Sequence, residues 1–326
     1  MIRNKIGIIQ LGRIGDMVLT TPIFKIIKDL FPNSILHVYA GPSNYSIIKN
    51  NPYIDKIIVI KKTPAALIKT IYNLKLNKYY YWIDPKDHQS RESKIIAWLV
   101  NAQKKVVYSE NQTRASKYIT LPVNTENLHH VMLGLNSLLP LGFIKPIIVP
   151  KPELFTDPES EQYINEYLST RSLKNFILLN ISGSSEHKMW DNSSWIEFFK
   201  KICIKKEIVL CFGPPELERA IELNSKMKNM HIFHSRSIKD IASLVAKSDF
   251  IFTPDTAIVH IAAAFNKPIF ALYSGLDHFY SKFYPLSDVY HVVRADQGDK
   301  GIKSISVEKA VSEFEKFYEN HLSLFN

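Results

Sequence analysis

A chain of 326 residues suits about two domains. Its 46% hydrophobic and 22% charged residues exclude a disordered or low-complexity polymer. The net charge of +10, from 41 basic and 31 acidic residues, fits an anionic partner; the basic residues are dispersed, with no Arg-rich helix and no RNA-binding aromatic signature, so nucleic acid is not expected.

The opening stretch MIRNKIGIIQLGRIGDM has too short an apolar run for a signal peptide. No segment approaches the roughly 18 apolar residues of a membrane span, so a cytoplasmic protein is expected. The two cysteines, Cys203 and Cys211, show neither C-x-x-C nor Cys/His ligand spacing and read as ordinary thiols.

In chain order the first half alternates strands with helices, the rhythm of a parallel α/β sheet. KIGIIQLG reads as a buried strand, followed by a helix that runs through KIIKDLF to Pro32-Asn33. SILHVYAG and IDKIIVI are strands. TPAALIKTIYNLKLNK is a helix with Thr63 as N-cap and Pro64 at its first position. YYYWID is a strand ending in Asp84, SKIIAWLVN a helix and KVVYS a strand. LHHVMLGLNSLLPLG closes this half as a helix with Gly142 just past its end.

VPKPELFTDPES reads as a linker before the helix EQYINEYLSTR, and the α/β rhythm then restarts. NFILLNISGS, EIVLCFGPP, DFIFTPD and KPIFALYSG are strands with their loops. SSWIEFFKKIC, ELERAIELNSKM, SIKDIASLVAKS, TAIVHIAAAFN and the tail SVEKAVSEFEKFYENHL are helices. The expected fold is therefore α/β, two Rossmann-like domains at residues 1–155 and 156–326, with the last helix, about 306–322, open to packing back towards the first domain. Ligands in such sheets bind beyond the carboxyl ends of the strands, and here also between the two halves.

Four loops at strand ends hold polar groups. In Gly12-Arg13-Ile14-Gly15-Asp16 the acid is open to being a helix N-cap. Ser182-Gly183-Ser184-Ser185 is either a flexible turn or, with Lys188 beside it, a cradle of backbone N–H groups for a pyrophosphate. Glu216, after Gly213-Pro214-Pro215, either balances a helix dipole or accepts from ribose hydroxyls. Asp255 or Thr256 caps a helix whose first N–H groups can meet a phosphate, and His260 lies about one turn inside it, open to being a core histidine.

In order and spacing these loops resemble glycosyltransferase family 9, the ADP-heptose–lipopolysaccharide heptosyltransferases of GT-B fold, over nearly the whole chain. QLGRIGDMVLTTP resembles the family's opening loop, and YYYWIDPKDHQSRES its strand ending in Asp. SGSSEHKMW resembles the donor-phosphate loop, CFGPPELERA the glycine turn with Glu, and FTPDTAIVHIAAAFNKPIFALYSG the D-T/S-G-x-x-H-x-A-A-A segment.

The resemblance implies a metal-independent, inverting transferase without a cofactor, whose donor is ADP-heptose. Asp16 matches the general base and Lys188 the lysine that stabilises charge on the leaving ADP. Glu216 matches a ribose contact, Asp255 a sugar-hydroxyl contact, and Thr256 and Ala257 the phosphate turn. His260 stands where the family has His; Ser182, Gly183, Ser184 and Gly213 complete the donor loops. Gly12, Arg13, Gly15, Arg91, Arg114 and Lys117 are candidates for the acceptor, an anionic glycolipid core. Such an enzyme would be a monomer, peripheral on the inner face of the inner membrane of a Gram-negative bacterium. No D-x-D motif for a nucleotide-bound metal appears.

The chain departs from the family where Ala257 replaces the usual glycine, Pro254 removes a backbone donor, and Leu276-Asp277 follow Ser274-Gly275. The alternatives are a transferase of another sugar or glycan, a nucleotide-sugar epimerase on the same architecture, and a non-catalytic glycan- or nucleotide-binding relative. A Rossmann oxidoreductase would carry G-x-G-x-x-G after the first strand, where this chain has G-R-I-G-D.

Overall fold

The computed structural model describes residues 4–86, 88, 90–109, 116–122, 128–202 and 204–321. The chain divides into two compact units, Met1–Phe155 and Thr156–Asn326.

In the first unit the order is β1 (Lys5–Gln10), α1 (Ile14–Leu30), β2 (Ile35–Ala40), β3 (Lys56–Val59), α2 (Pro64–Leu76), β4 (Tyr79–Ile83), α3 (Arg91–Leu99), β5 (Ala102–Tyr108), β6 (Tyr118–Leu121) and α4 (His130–Asn136). The strands pair in parallel in the order β3-β2-β1-β4-β5-β6. The chain reverses its direction of winding between β1 and β4, so the loops after these two strands flank the crevice where open α/β sheets take ligands. Ile9, Tyr39, Leu74, Tyr79, Trp82 and Ile96 form one buried cluster, which places α2 and α3 on the same face of the sheet.

The second unit runs α5 (Pro158–Thr170), β7 (Phe176–Asn180), α6 (Asn192–Ile202), β8 (Glu207–Cys211), α7 (Leu217–Lys226), β9 (Met230–Ile232), α8 (Ile238–Lys247), β10 (Phe250–Pro254), α9 (Ala257–Ala264), β11 (Ile269–Tyr273), α10 (Asp277–Phe283), β12 (Tyr290–Arg294) and α11 (Val307–Asn320). Its parallel sheet has the order β12-β11-β10-β7-β8-β9, and the reversal falls between β10 and β7. Aromatic rings fill the core: Trp195, Phe198, Phe252, Phe270, Phe314 and Phe317 are all buried together. Phe314 and Phe317 belong to α11, so the buried side of the last helix lies in the core of its own unit, against α6 and β12.

The structure departs from the sequence reading in several elements. The helix expected through LHHVMLGLNSLLPLG stops at Asn136; a 3₁₀ turn at Leu139–Leu141 follows, and Gly142 ends it with φ +90°. Pro140 cannot donate to a helical carbonyl, which accounts for the break. The helix placed after TDPES begins inside it: the Asp157 side chain accepts from Ser160 N at 3.0 Å and Pro158 takes the first helical position. The short strands β6, β9 and β12 and the helix α10 are additional elements. Cys211 is buried, and burial pushes its thiol up to about 12; Cys203 lies outside the described residues.

Candidate functional site

In the first unit, β1 delivers the chain into the loop Leu11–Arg13 at the β1/β4 crevice. Two buried amides fix that loop. Gln10 Oε1 accepts from Gly12 N at 3.0 Å, while its Nε2 donates to Thr20 Oγ1 at 3.0 Å. Asn44 Nδ2 donates to the Gly12 carbonyl at 2.8 Å and the Gln10 carbonyl at 3.1 Å. Neither residue stood out in the sequence, because a buried amide that organises a loop has no spacing signature.

Asp16 is not an N-cap, as the sequence allowed. Arg13 occupies the cap, and Asp16 sits in the first turn of α1 with its Oδ2 accepting from Arg13 N at 2.8 Å. This is the return half of a capping box, in which an acid three residues into the helix reaches back to the cap N–H. Gly12 is the residue that makes room: a Cβ there would stand 2.1 Å from Asp16 Oδ2. Arg13 is exposed, and Gly15 and Asp16 are partly exposed in the first turn.

The other side of the crevice carries Asp84, immediately after β4. It is 2% exposed, and one oxygen accepts from Lys86 N at 3.3 Å while the other has no hydrogen-bond partner among the described residues. Burial pushes its carboxyl up to about 6. Arg91 opens α3 beyond this strand and is exposed. Lys117 is exposed as well but precedes β6, at the amino end of that strand, so the structure does not bring it to the carboxyl-end loops that hold Asp16. Arg114 lies outside the described residues.

In the second unit the loops after β7, β8 and β10 meet through side chains. The Ser182 hydroxyl accepts from Gly213 N at 2.7 Å and donates to Glu216 Oε2 at 2.9 Å. A Cβ on Gly213 would lie 2.9 Å from the same Glu216 oxygen. The two loops that the sequence treated separately are thus one surface. Glu216 itself stands at the N-cap position of α7 without a capping bond from its side chain.

Across the β7/β10 reversal, Lys188 Nζ is 2.5 Å from Asp255 Oδ2. Asp255 is buried at the end of β10 and Lys188 is partly exposed. Thr256 caps α9, its hydroxyl accepting from Ile258 N at 3.3 Å, and Ala257 is the first helical residue. Ala257 does not have a positive φ, so the methyl in place of the family's glycine is compatible with the backbone. His260 is buried one turn further along, its ring 6.1 Å from that of Phe283.

Asn180, the last residue of β7, is the member of this group that sequence reasoning missed. Its buried Nδ2 donates to the hydroxyls of Thr253 and Thr256, each at 3.0 Å, and its Oδ1 accepts from Ser182 N at 3.2 Å. Arg219 on α7 was missed too: it donates to the carbonyls of Ile181 at 3.2 Å and Trp190 at 2.5 Å, which fixes both ends of the Lys188 loop. Inside that loop Gly183 lies against the Lys188 carbonyl, while Ser184 is exposed. The loop rests on the segment before α11 through Ile302 N to the His187 carbonyl (2.9 Å) and Trp190 Nε1 to the Ile305 carbonyl (3.0 Å).

The chemistry available is that of an anion site. The Lys188 ammonium, the capped start of α9 and the Glu216 carboxylate on the neighbouring turn are groups that can hold a phosphate chain and a ribose. Among the described residues no group of three His, Cys, Asp or Glu side chains is placed to hold a metal ion, and no helix is long and apolar enough to cross a membrane.

Residues 70–310 match the family model of glycosyltransferase family 9 (heptosyltransferase). The chain is 24% identical to lipopolysaccharide heptosyltransferase 3 of Escherichia coli over 283 residues, 82% of each protein. Its fold is similar to that of the glycosyltransferase family 9 protein of Veillonella parvula, with a TM-score of 0.81 and 19% identity over 97% of both chains. It is also similar to E. coli heptosyltransferase WaaC solved with ADP, with a TM-score of 0.77 and 17% identity over 96% of this chain and 99% of that one. WaaC has been solved with ADP-2-deoxy-2-fluoro heptose as well.

Proposed function

Because the chain belongs to glycosyltransferase family 9, we propose that it transfers a heptose from ADP-heptose to an anionic lipopolysaccharide or lipooligosaccharide inner-core acceptor. The observation that carries this reading is the Lys188–Asp255 pair at the β7/β10 reversal, on the surface shared by Ser182, Gly213 and Glu216. Lys188 exchanges its carboxylate partner for the donor pyrophosphate, and the freed Asp255 accepts from sugar hydroxyls. Glu216 accepts from the ribose, and the α9 N-terminus at Thr256 and Ala257 receives a phosphate.

Asp16 is the proposed base. It takes the proton of the acceptor hydroxyl while that oxygen bonds to the anomeric carbon; the bond to the β-phosphate oxygen breaks and ADP leaves with its electron pair. One displacement inverts the anomeric centre. The growing charge on ADP is met by Lys188 and the helix start, so the step needs no metal or cofactor. Arg13 and Arg91, exposed at the first unit's crevice, suit the phosphates or carboxylates of the acceptor. The enzyme works in the cytoplasm as a monomer, peripheral on the inner face of the inner membrane.

A transferase of the same family that uses another sugar or glycan is the second reading, favoured by Ala257 and by Leu276-Asp277 after Ser274-Gly275. The deciding experiment measures ADP release from ADP-heptose with delipidated inner-core acceptors, beside a panel of other nucleotide sugars. Turnover with ADP-heptose above all others supports heptose transfer; a preference for another donor replaces it with the second reading.

A further inference from the structure

A helix on the outside of an α/β unit is expected to be polar on its far side. α2 is not. Its inner face is set by Thr70 and Leu74, which are buried, yet Leu67, Ile68, Tyr72 and Leu76 turn outwards, with Ile68 69% exposed. α3 packs beside α2 on the same sheet face and turns Ile95 and Trp98 outwards, Trp98 being 75% exposed. Large apolar side chains gathered in this way mark an interaction surface and not the scatter of single residues usual on a protein exterior.

The charge around this face is mainly basic, α3 carrying one acid, Glu92, whose carboxylate lies 4.0 Å from Lys62. α2 carries Lys69 and Lys75 and no acid. Lys61 and Lys62 precede it, Lys78 follows it, and Lys94 stands on α3. A second copy docked here about a two-fold axis would set these lysines against their own equivalents, which opposes self-association. An anionic bilayer suits the excess of lysine over this single acid: apolar and aromatic side chains enter the headgroup boundary, and flanking lysines contact lipid phosphates. Tyr72 and Trp98 are the residue types favoured at that depth.

We infer that the outward face of α2 and α3 is the surface by which this protein lies on an anionic membrane. The inference rests on the proposed membrane-borne acceptor and adds the face that docks. It places the first unit, which carries Asp16, against the lipid layer.

The chain contains its own probe. Of its four tryptophans, Trp82, Trp190 and Trp195 are buried and Trp98 is exposed, so a change in exposed-tryptophan fluorescence reports Trp98. The full-length protein is mixed with vesicles of phosphatidylglycerol and phosphatidylethanolamine, and separately with phosphatidylcholine vesicles. The anionic vesicles should sediment the protein, shift its emission to the blue and shield it from iodide; the neutral ones should bind about tenfold less. The outward triple variant Ile68→Ser/Tyr72→Ser/Trp98→Ser should keep its melting temperature and lose binding by at least about tenfold. Lys69→Glu/Lys75→Glu should weaken binding and flatten its salt dependence.

Vesicle binding unchanged in the triple variant overturns the inference, as does concentration-dependent burial of Trp98 without lipid, which identifies a protein interface instead. ADP release on a delipidated, water-soluble acceptor separates the two claims. A triple variant that keeps this activity while losing vesicle binding supports both. A wild-type protein that binds vesicles but turns over no nucleotide sugar removes the transferase reading and leaves the docking face.

Discussion

Gly12 and Asp16 are a matched pair: the carboxylate oxygen that accepts from Arg13 N occupies the place where any side chain at residue 12 would begin, 2.1 Å from its Cβ. The pair separates a structural role for Asp16 from a chemical one. Asp16→Asn keeps an oxygen able to accept from Arg13 and loses the basicity, so kcat should fall about 10²–10⁴-fold with donor affinity nearly unchanged. Gly12→Ala should push the carboxylate aside and lower kcat with little loss of donor binding. Steady-state kinetics beside donor titrations checks both; an Asn variant with normal turnover removes Asp16 from the base role.

Lys188→Ala should weaken ADP binding roughly 10–100-fold, since it deletes a charge-assisted contact to phosphate and leaves Asp255 facing the anion. Asp255→Asn in the same background should recover part of the loss by removing that repulsion. Isothermal titration calorimetry with ADP measures each value, and unchanged affinity in Lys188→Ala would remove the lysine from the donor site.

Arg219 offers a test of the loop it fixes. Arg219→Leu strips the donors from the Ile181 and Trp190 carbonyls. The expected cost is about 1–3 kcal/mol of stability, together with a raised KM for the donor and a kcat less affected. Thermal melts and initial rates read the two effects independently.

Buried titratable groups in the first unit give a signed pH dependence. Burial pushes the Asp84 carboxyl up to about 6. Its ionised form is thus less favourable in the folded protein than in the unfolded chain. Asp84 destabilises the fold as pH rises through about 4 and 6, and contributes no such penalty below the lower value. Asp84→Asn should therefore raise the melting temperature at pH 7 to 8, by up to about 3 kcal/mol in stability, with the gap closing near pH 4. His37 acts in the opposite sense. Burial and nearby lysines lower it to about 4, so the stability of its neutral form is present above about pH 6.5 and is lost as pH falls through about 4. Melting curves across pH for wild type, Asp84→Asn and His37→Gln separate the two.

The parallel sheets were legible in the sequence because their central strands are fully apolar and end in polar turns, as in KIGIIQLG and DFIFTPD. β6, β9 and β12 were not, for a physical reason: each lies at a sheet edge and is only partly buried, and β6 and β9 are also short, so neither an apolar run nor strict alternation marks them. β6 matters to one candidate, since it puts Lys117 at its amino end. Among the proposed site residues, Asp16, Lys188, Glu216 and Asp255 could be named from loop position because the chemistry lies in their own side chains. Gln10, Asn44, Asn180 and Arg219 were not: Asn44, Asn180 and Arg219 bond carbonyls and hydroxyls far away in sequence, a relation that exists only once the sheets have formed, and Gln10 bonds Gly12 and Thr20 close by with no spacing signature to mark it.

Asn180 turns two loops into one rigid gauge. Its amide is bonded at once to Ser182, at the root of the loop that carries Lys188, and to Thr256, where α9 begins. The distance between the root of that loop and the helix start is therefore set by the strand ends. In the proposed donor site the anion is thus met by two anchors whose backbones are already tied together, and the long lysine side chain supplies the remaining adjustment.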